Sequence, residues 1–127
     1  MKLRYEKGLI FVDIDIKYKG KKKLIDNVVL DTGAAHTIIN PDSVYELGLK
    51  AEASDEFITM YGVGGAHYAY RKKIDSLSIA IKDLKNIEVD FGVIDEEGTI
   101  NGLLGLNVLL KLGVIINLNK LILEIEQ

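Results

Sequence analysis

The range Val28–Asn40 reads Val-Val-Leu-Asp-Thr-Gly-Ala-Ala-His-Thr-Ile-Ile-Asn and is the most informative part of the chain. An apolar run leads into Asp31, a tight Asp-Thr-Gly-Ala turn follows, and an apolar pair leads out of it. These flanks place Asp31 at the mouth of a buried loop, where Gly33 can donate its backbone N–H to the carboxylate. An aspartate in a tight turn is ordinarily structural, because its side chain binds backbone N–H groups two residues further on.

Asp-Thr-Gly occurs once in the sequence. A lone carboxylate is a poor hydrolase, whereas two carboxylates that face each other across a dimer axis can share one proton and activate a water. If Asp31 acts chemically, we therefore expect a second copy of the chain to supply its partner. The hydroxyl of Thr32 can form a hydrogen bond across such an axis and lock the two loops together.

The composition indicates one packed domain spanning residues 1–127. The chain has 127 residues, 48% of them hydrophobic, and a formal net charge of −3. A small negative charge does not favour binding to nucleic acid or to an anionic membrane. Without cysteine there are no disulfides, and no apolar stretch reaches membrane-spanning length. Because the N-terminal residues lack a hydrophobic signal region, we expect a cytoplasmic protein.

Alternation of apolar and polar residues predicts most of the secondary structure. It runs through Val12–Tyr18, Ser76–Ile81, Ile87–Val93 and Leu121–Glu126, and a Lys19-Gly20-Lys21 turn leads into the apolar-rich Leu24–Leu30. Strands this short and this closely spaced indicate an all-β barrel or sandwich.

Two short helices interrupt this pattern. The first is predicted over Asn40–Gly48, with Asn40 as its cap, Pro41 at its first position and Gly48 at its end. The second is predicted over Gly105–Gly113. Since the second segment is apolar nearly all round, we expect it to be buried.

Two further motifs bear on function. Phe57–Tyr70 has aromatic and β-branched residues around a glycine-rich tip, which indicates either an ordinary long hairpin or a mobile flap that closes over a substrate. Ile100–Asn107 reads as a buried strand that runs into a helix. There Gly105 would allow close packing against another backbone.

Taken together and in this order, the three motifs resemble those of the retropepsin-like aspartic proteases, and more closely the bacterial and cellular branch of that family. The resemblance extends from about Leu24 to Glu126. It depends on Leu30-Asp31-Thr32-Gly33-Ala34, on the tip Gly62-Val63-Gly64-Gly65, and on Leu103-Leu104-Gly105 with the helix that follows.

The resemblance implies an all-β fold, a closed barrel with one or two short helices, that works as a homodimer on peptide or protein substrates without metal or cofactor. Asp31 would be catalytic, supported by Thr32, Gly33 and Ala34. The remaining implied roles are substrate cover for Gly62, Val63, Gly64 and Gly65, loop support for Leu103, Leu104 and Gly105, and dimer contacts for terminal strands that include Leu121–Ile125.

Some features leave other interpretations open. In retroviral members an acidic residue directly follows Asp-Thr-Gly-Ala, whereas this chain has Ala35 and then His36. His36 is expected at the edge of the cleft, and His67 on the solvent side of the flap. The alternation explains the aspartates of Phe11–Asp15 as the polar face of a strand better than as a phosphatase pair. The alternative function is a catalytically silent peptide-binding or dimerisation module on the same fold.

Overall fold

The computed structural model describes residues 1–62, 65–80, 82–95 and 97–125. This part of the chain is mostly β, with ten strands and two short α-helices. The strands are β1 (Arg4–Glu6), β2 (Leu9–Tyr18), β3 (Lys21–Leu30), β4 (Ile38–Ile39), β5 (Glu56–Gly62), β6 (Gly65–Ile79), β7 (Lys82–Gly92), β8 (Gly102–Leu104), β9 (Val114–Asn117) and β10 (Ile122–Ile125). The helices are α1 (Pro41–Val44), continued by a 3₁₀ turn (Tyr45–Leu47), and α2 (Leu106–Leu112).

Two-residue turns connect the first three strands. The turn between β2 and β3 consists of Lys19 and Gly20, both with positive φ, and Lys7 and Gly8 repeat this geometry between β1 and β2. Left-handed backbone at both positions matches the twist of a tight antiparallel hairpin. The turn predicted at Lys19-Gly20-Lys21 is therefore confirmed.

The arrangement of the strands brings distant parts of the sequence together. Eight of them form one sheet in the order β1-β2-β3-β8-β4-β7-β6-β5, and an additional pairing joins β2 to β6. The short strand β8 lies between β3, to which it is parallel, and β4, to which it is antiparallel. Because the chain from β3 to β4 must pass the end of β8, residues 31–37 lie directly against the segment that follows β8.

The alternation correctly predicts the main core face of β2. Its buried members are Val12, Ile14, Ile16 and Tyr18, and burial of such a side chain contributes about 1.5–3 kcal/mol. On the other face Asp13 is half-buried, and its Oδ1 has no hydrogen-bond partner among the described residues. The polar face of β2 is therefore less open to solvent than its alternation indicates.

The alternation of β7 is only partly correct. Ile87, Val89 and Phe91 are buried as predicted, but Asp90, assigned to the polar face, is only 2% exposed. Its carboxylate binds Arg71 of β6, and this partner compensates the charge. A two-residue period does not reveal that both faces of this strand are covered.

The first predicted helix has its predicted ends. The Asn40 side chain accepts a hydrogen bond from the Asp42 N–H, Pro41 is the first residue of α1, and Gly48 ends the segment with φ of 79°. However, Val44 has φ of −120°, so the segment is one α-helical turn and a 3₁₀ turn instead of one helix.

The prediction that the second helix is buried is correct for only part of it. Val108, Leu109 and Leu112 of α2 are buried, but Leu110 is 75% exposed and Lys111 is also exposed. The helix has a single face against the core, and an apolar sequence cannot show how many of its faces are covered.

A second, small sheet contains both ends of the described chain. The strands β9 and β10 are antiparallel, and Met1–Leu3 lie along the other side of β10 through the Leu3 N–H to Leu121 carbonyl bond (2.8 Å) and the Leu123 N–H to Met1 carbonyl bond (2.7 Å). In the described part of the chain, no helix is long and apolar enough to cross a membrane.

Candidate active site

Asp31 begins the loop that follows β3. Its N–H donates to the Leu104 carbonyl oxygen of β8 at 3.0 Å, so β8 fixes the backbone where β3 ends. The Gly33 N–H donates to Asp31 Oδ1 at 2.9 Å, as the sequence predicts, and the Ala34 N–H reaches the Asp31 carbonyl oxygen at 3.3 Å. Asp31 is half-buried, and no described residue donates a hydrogen bond to its Oδ2. One carboxylate oxygen is thus oriented by the loop, while the other accepts no hydrogen bond from the described residues.

The start of α2 supports this loop from behind. The Leu106 N–H donates to the Ala34 carbonyl oxygen at 2.8 Å, and the Asn107 N–H donates to the Ala35 carbonyl oxygen at 3.1 Å. The first N–H groups of a helix have no partner within the helix, and here the loop carbonyls accept them. The same contacts therefore complete the helix end and hold the loop.

Gly105 makes this close approach possible. A Cβ atom at this position would lie 2.5 Å from the His36 carbonyl oxygen and 2.8 Å from the Ala34 carbonyl oxygen. Both distances are too short for real contacts, and both partners are backbone atoms with little freedom to move. The close packing predicted for Gly105 is present, and its partner is the loop that carries Asp31.

Thr37 and Asn107 form a link that the sequence interpretation left without a role. The Gly105 N–H donates to Thr37 Oγ1 at 3.0 Å, and the Thr37 hydroxyl donates to Asn107 Oδ1 at 2.8 Å. Thr37 is fully buried, so its hydroxyl fastens the far end of the loop to the start of α2. In the sequence, this role is indicated by the position of Thr37, a polar residue directly before the apolar pair that forms β4.

The structure brings two of the three sequence motifs together. Leu103 is half-buried and lies between Val29 and Ile38, while Leu104 is fully buried behind Asp31. Thr32 and Gly33 are exposed at the front of the loop. The residues predicted to carry and support the carboxylate thus form one unit.

The third motif is the β5–β6 hairpin. Gly62 pairs with Gly65 at its end, whereas the predicted tip residues Val63 and Gly64 lie outside the described residues. Of the two histidines, His67 is half-buried on β6 instead of facing solvent. His36 is exposed and lines a cavity of about 300 Å³ with Asn107, Arg71 and other polar residues.

Nothing in the described chain resembles a metal site. No group of three or more histidine, aspartate or glutamate side chains lies close enough there to hold an ion. The arrangement offers an oriented, accessible carboxylate on a rigid loop, which suits acid–base chemistry on a bound water.

Comparison with known proteins agrees with this geometry. A sequence profile of the aspartyl protease family matches residues 14–108, and the chain belongs to that family. Its fold is that of the bacterial retropepsin-like members. A retropepsin-like aspartic protease from Rickettsia conorii superposes with a TM-score of 0.68 at 22% identity, covering 95% of this chain and 93% of that one. No curated protein sequence matches the chain.

Proposed function

We propose that the protein is an aspartic endopeptidase whose active site forms between two copies of the chain, each supplying one Asp31. The observation that carries this proposal is the Asp31 loop, in which Gly33 orients Oδ1 while β8 and α2 hold the backbone. The family match supports peptidase activity in general. The paired mechanism and the dimer are our inference from the single Asp-Thr-Gly of the sequence.

In the proposed mechanism two Asp31 carboxyl groups share one proton, because two like charges at close range do not both ionise easily. The ionised member takes a proton from a bound water as the water oxygen attacks the scissile carbonyl carbon. The protonated member gives its proton to the carbonyl oxygen, and a gem-diol forms. The gem-diol then collapses and the C–N bond breaks, as the protonated carboxyl gives its proton to the nitrogen and a gem-diol hydroxyl gives its proton to the ionised carboxylate, so that the pair again holds one proton. The titration belongs to the pair and not to either residue.

The free edge of β9 supports the proposed dimer. Among the described residues β9 pairs only with β10, whose other side is occupied by Met1–Leu3. Large apolar side chains are exposed on β9 and directly after it, with Ile115 at 43% and Leu118 at 64%. An unpaired strand edge is a ready template for pairing with the same strand of a second copy across a two-fold axis. We therefore propose that the interface is centred on β9, the strand paired with the Leu121–Ile125 region for which the resemblance implied dimer contacts.

The proposal also gives roles to the main sheet, to the β5–β6 hairpin and to Thr32. The β2–β6 pairing would close β2, β3, β8, β4, β7 and β6 into the small barrel of a single domain over residues 1–127. The β5–β6 hairpin would cover an extended peptide with the tip predicted from the sequence, Gly62, Val63, Gly64 and Gly65. The exposed Thr32 would meet its counterpart across the axis.

The decisive experiment compares the wild-type protein with Asp31→Asn on a diverse peptide mixture. Cleavage is read by mass spectrometry from mildly acidic to neutral pH at high protein concentration. Asp42→Asn is the matched control, because Asp42 is an exposed aspartate in the first turn of α1. We expect cuts from the wild type and the control but none from Asp31→Asn. Equal cleavage by Asp31→Asn would refute the mechanism, and no cleavage by a dimeric wild type would favour a silent binding module.

The dimer has its own test. Ile115→Asp places a charge on the β9 edge, where we expect it to prevent pairing without disturbing the core. Sedimentation should show a monomer, and specific activity should be lost together with the dimer. A monomeric Ile115→Asp protein with full activity would rule out a site shared between two chains.

A further inference from the structure

The β5–β6 hairpin leaves the body of the protein at a defined point. Its strand β6 pairs with β7 as far as Ala69, which lies opposite Gly92. Beyond this pair, the described residues of β6 pair only with β5. A Cβ atom on Gly92 would lie 2.8 Å from the Tyr68 carbonyl oxygen, so the hairpin crosses the end of β7 in close contact. We call the region around Ala69 and Gly92 the root of the hairpin.

One face of the sheet near the root carries a row of charges. Glu56, Arg71 and Asp90 lie opposite one another on β5, β6 and β7. Arg71 donates to Asp90 through Nε (2.7 Å) and Nη2 (3.2 Å), and its Nη1 reaches Glu56 Oε2 at 3.2 Å. A bidentate guanidinium–carboxylate pair fixes orientation as well as distance. The hydrogen bond from Arg71 to Asp90 is also the main cause of the raised pKa of Arg71.

The opposite face has a second ionic contact, made by the next residue of β6. Lys72 is only 8% exposed, and its Nζ binds the carboxylates of Glu52 and Asp55, the latter at 3.1 Å. Asp55 directly precedes β5 and also accepts the Glu52 N–H at 2.8 Å, while the Asp55 N–H donates to the Glu52 carbonyl oxygen at 3.0 Å. Lys72 thus joins the second strand of the hairpin to a closed turn from which the first strand starts.

A buried ammonium group is a costly way to hold two segments together. Desolvation of a lysine disfavours its charged form, and replacing a buried ion pair with apolar groups is often neutral for stability. Here burial lowers the pKa of Lys72, but the hydrogen bonds to Glu52 and Asp55 outweigh it and hold that pKa above its ordinary value. The same hydrogen bond from Lys72 lowers the pKa of Glu52. The contact therefore persists in mildly acidic solution.

We infer that Lys72 is a positioning residue, which sets the angle at which the β5–β6 hairpin leaves the body and so prepares the hairpin to close over the substrate. Two neighbouring residues of β6 bind other elements at the root from opposite faces of the sheet. Arg71 binds Asp90 of β7, and Lys72 binds Asp55 in the turn before β5. The part about substrate depends on the proposed function, whereas the part about the hairpin does not.

The first measurement is hydrogen exchange of the backbone amides, which needs no activity. Lys72→Met keeps an unbranched side chain of nearly the same length and removes its charge. We expect amides of residues 57–59 and 66–69 to exchange about ten-fold faster, with β2 and β3 unchanged, because local opening is separate from global unfolding. Lys72→Arg should largely restore slow exchange. Lys85→Met, at an exposed lysine in the half of β7 far from the root, should change nothing.

Glu52→Gln is a milder second variant, since it alters the exposed partner and leaves Lys72 bound to Asp55. It should accelerate the same amides less than Lys72→Met does. If Lys72→Met folds but leaves hairpin exchange unchanged, the inference is wrong. Acceleration spread evenly over all strands would mean that Lys72 serves overall stability only, and this would also overturn the inference.

Kinetics provide the second measurement. In a protein that cleaves peptides through Asp31, Lys72→Met should raise KM about five-fold and change kcat less, because a misplaced cover weakens substrate capture before chemistry. A fall in kcat at unchanged KM would contradict this role. If exchange rises in the hairpin but no cleavage depends on Asp31, the proposed function fails while the assignment of Lys72 to the hairpin root stands.

Discussion

The loop that carries Asp31 and the β5–β6 hairpin are held in different ways. The loop is seven residues long, and contacts distant in sequence bind it at both ends, Asp31 to β8 and Thr37 to the start of α2. The hairpin is longer, but beyond Ala69 its described strands bind only each other. In the proposed function Asp31 would have to keep its position to a fraction of an ångström, whereas the hairpin would have to move over the substrate. In this fold, contacts between residues distant in sequence hold the loop, whereas the outer part of the hairpin is held only by pairing between its own two strands.

The largest expected effect comes from filling the space behind the loop. Gly105→Ala should lower the free energy of unfolding by about 3 kcal/mol, because the new methyl group meets two backbone carbonyls that cannot retreat. Urea denaturation measures this change. The control is Gly48→Ala. Its φ is 79°, but an added Cβ atom would meet no other part of the protein within 4 Å, so only backbone strain of about 1 kcal/mol is expected. Equal effects at the two sites would show that the loop can move away from α2.

A smaller effect is expected from cutting the link at the far end of the loop. Thr37→Val keeps the shape of the side chain but leaves the Gly105 N–H and the Asn107 amide oxygen without their partner. We expect a loss of about 2 kcal/mol in the free energy of unfolding. Thr37→Ser retains the hydroxyl and should lose about half as much. A larger loss in the serine variant would mean that the methyl group, and not the hydroxyl, carries the contact.

At the hairpin root we expect a substitution that does not lower the free energy of unfolding. The Tyr70 ring stacks on Phe91 at a centroid distance of 5.2 Å, but its buried hydroxyl has no hydrogen-bond partner among the described residues. Removing an unpaired polar group relieves a desolvation cost, so Tyr70→Phe should leave stability unchanged or raise it by up to about 1 kcal/mol. Thermal unfolding of Tyr70→Phe beside Tyr68→Phe, an exposed tyrosine, tests this. A clear loss only at Tyr70 would contradict it.

The smallest expected effect is a loss of stability at low pH, which involves Asp95 in the segment that leads to β8. The Asp95 carboxylate accepts hydrogen bonds from the Thr99 hydroxyl and from the N–H groups of Ile100, Glu97 and Thr99, and these lower its pKa. A pKa that is lower in the folded state gives stability that is present above the unfolded pKa and lost as pH falls through the folded value. Stability should therefore decline below about pH 4.

Asp95→Asn should weaken this decline, because the amide does not titrate. The measurement is the urea midpoint at pH 6 and pH 3.5 for both proteins. Asp83→Asn, at an exposed aspartate of β7, is the control and should keep the wild-type difference between the two pH values. An unchanged difference in Asp95→Asn would show that other carboxylates dominate the acid response.

Features that depend on neighbouring residues could be predicted from the sequence. The turn at Asp31, the Lys19-Gly20 hairpin turn and the caps of the first helix depend on neighbours in sequence, and their geometry agrees with prediction. The closed barrel and the homodimer stay proposals, because the first depends on how the β2–β6 pairing is interpreted and the second on a partner chain.

The predictions that failed and the contacts that were not predicted have one cause. The burial of Asp90, the exposure of Leu110 and the contacts of Thr37 and Lys72 depend on how distant parts of the chain pack, which local periodicity does not contain. Asp90 looks like a solvent-facing residue until Arg71 lies opposite it, and Lys72 looks like any strand lysine until the turn at Asp55 covers it.

The sequence by itself determined the mostly-β character, the tight turn that presents Asp31 and the family to which the chain belongs, because these depend on periodicity, turn chemistry and an ordered set of motifs. Only the tertiary structure decided what holds the turn and where the hairpin begins. Placing β8 between β3 and β4 brings Gly105 under the loop, and pairing β6 with both β5 and β7 puts Arg71 and Lys72 at the root. Such contacts join residues tens of positions apart, so they exist only once the strands have paired.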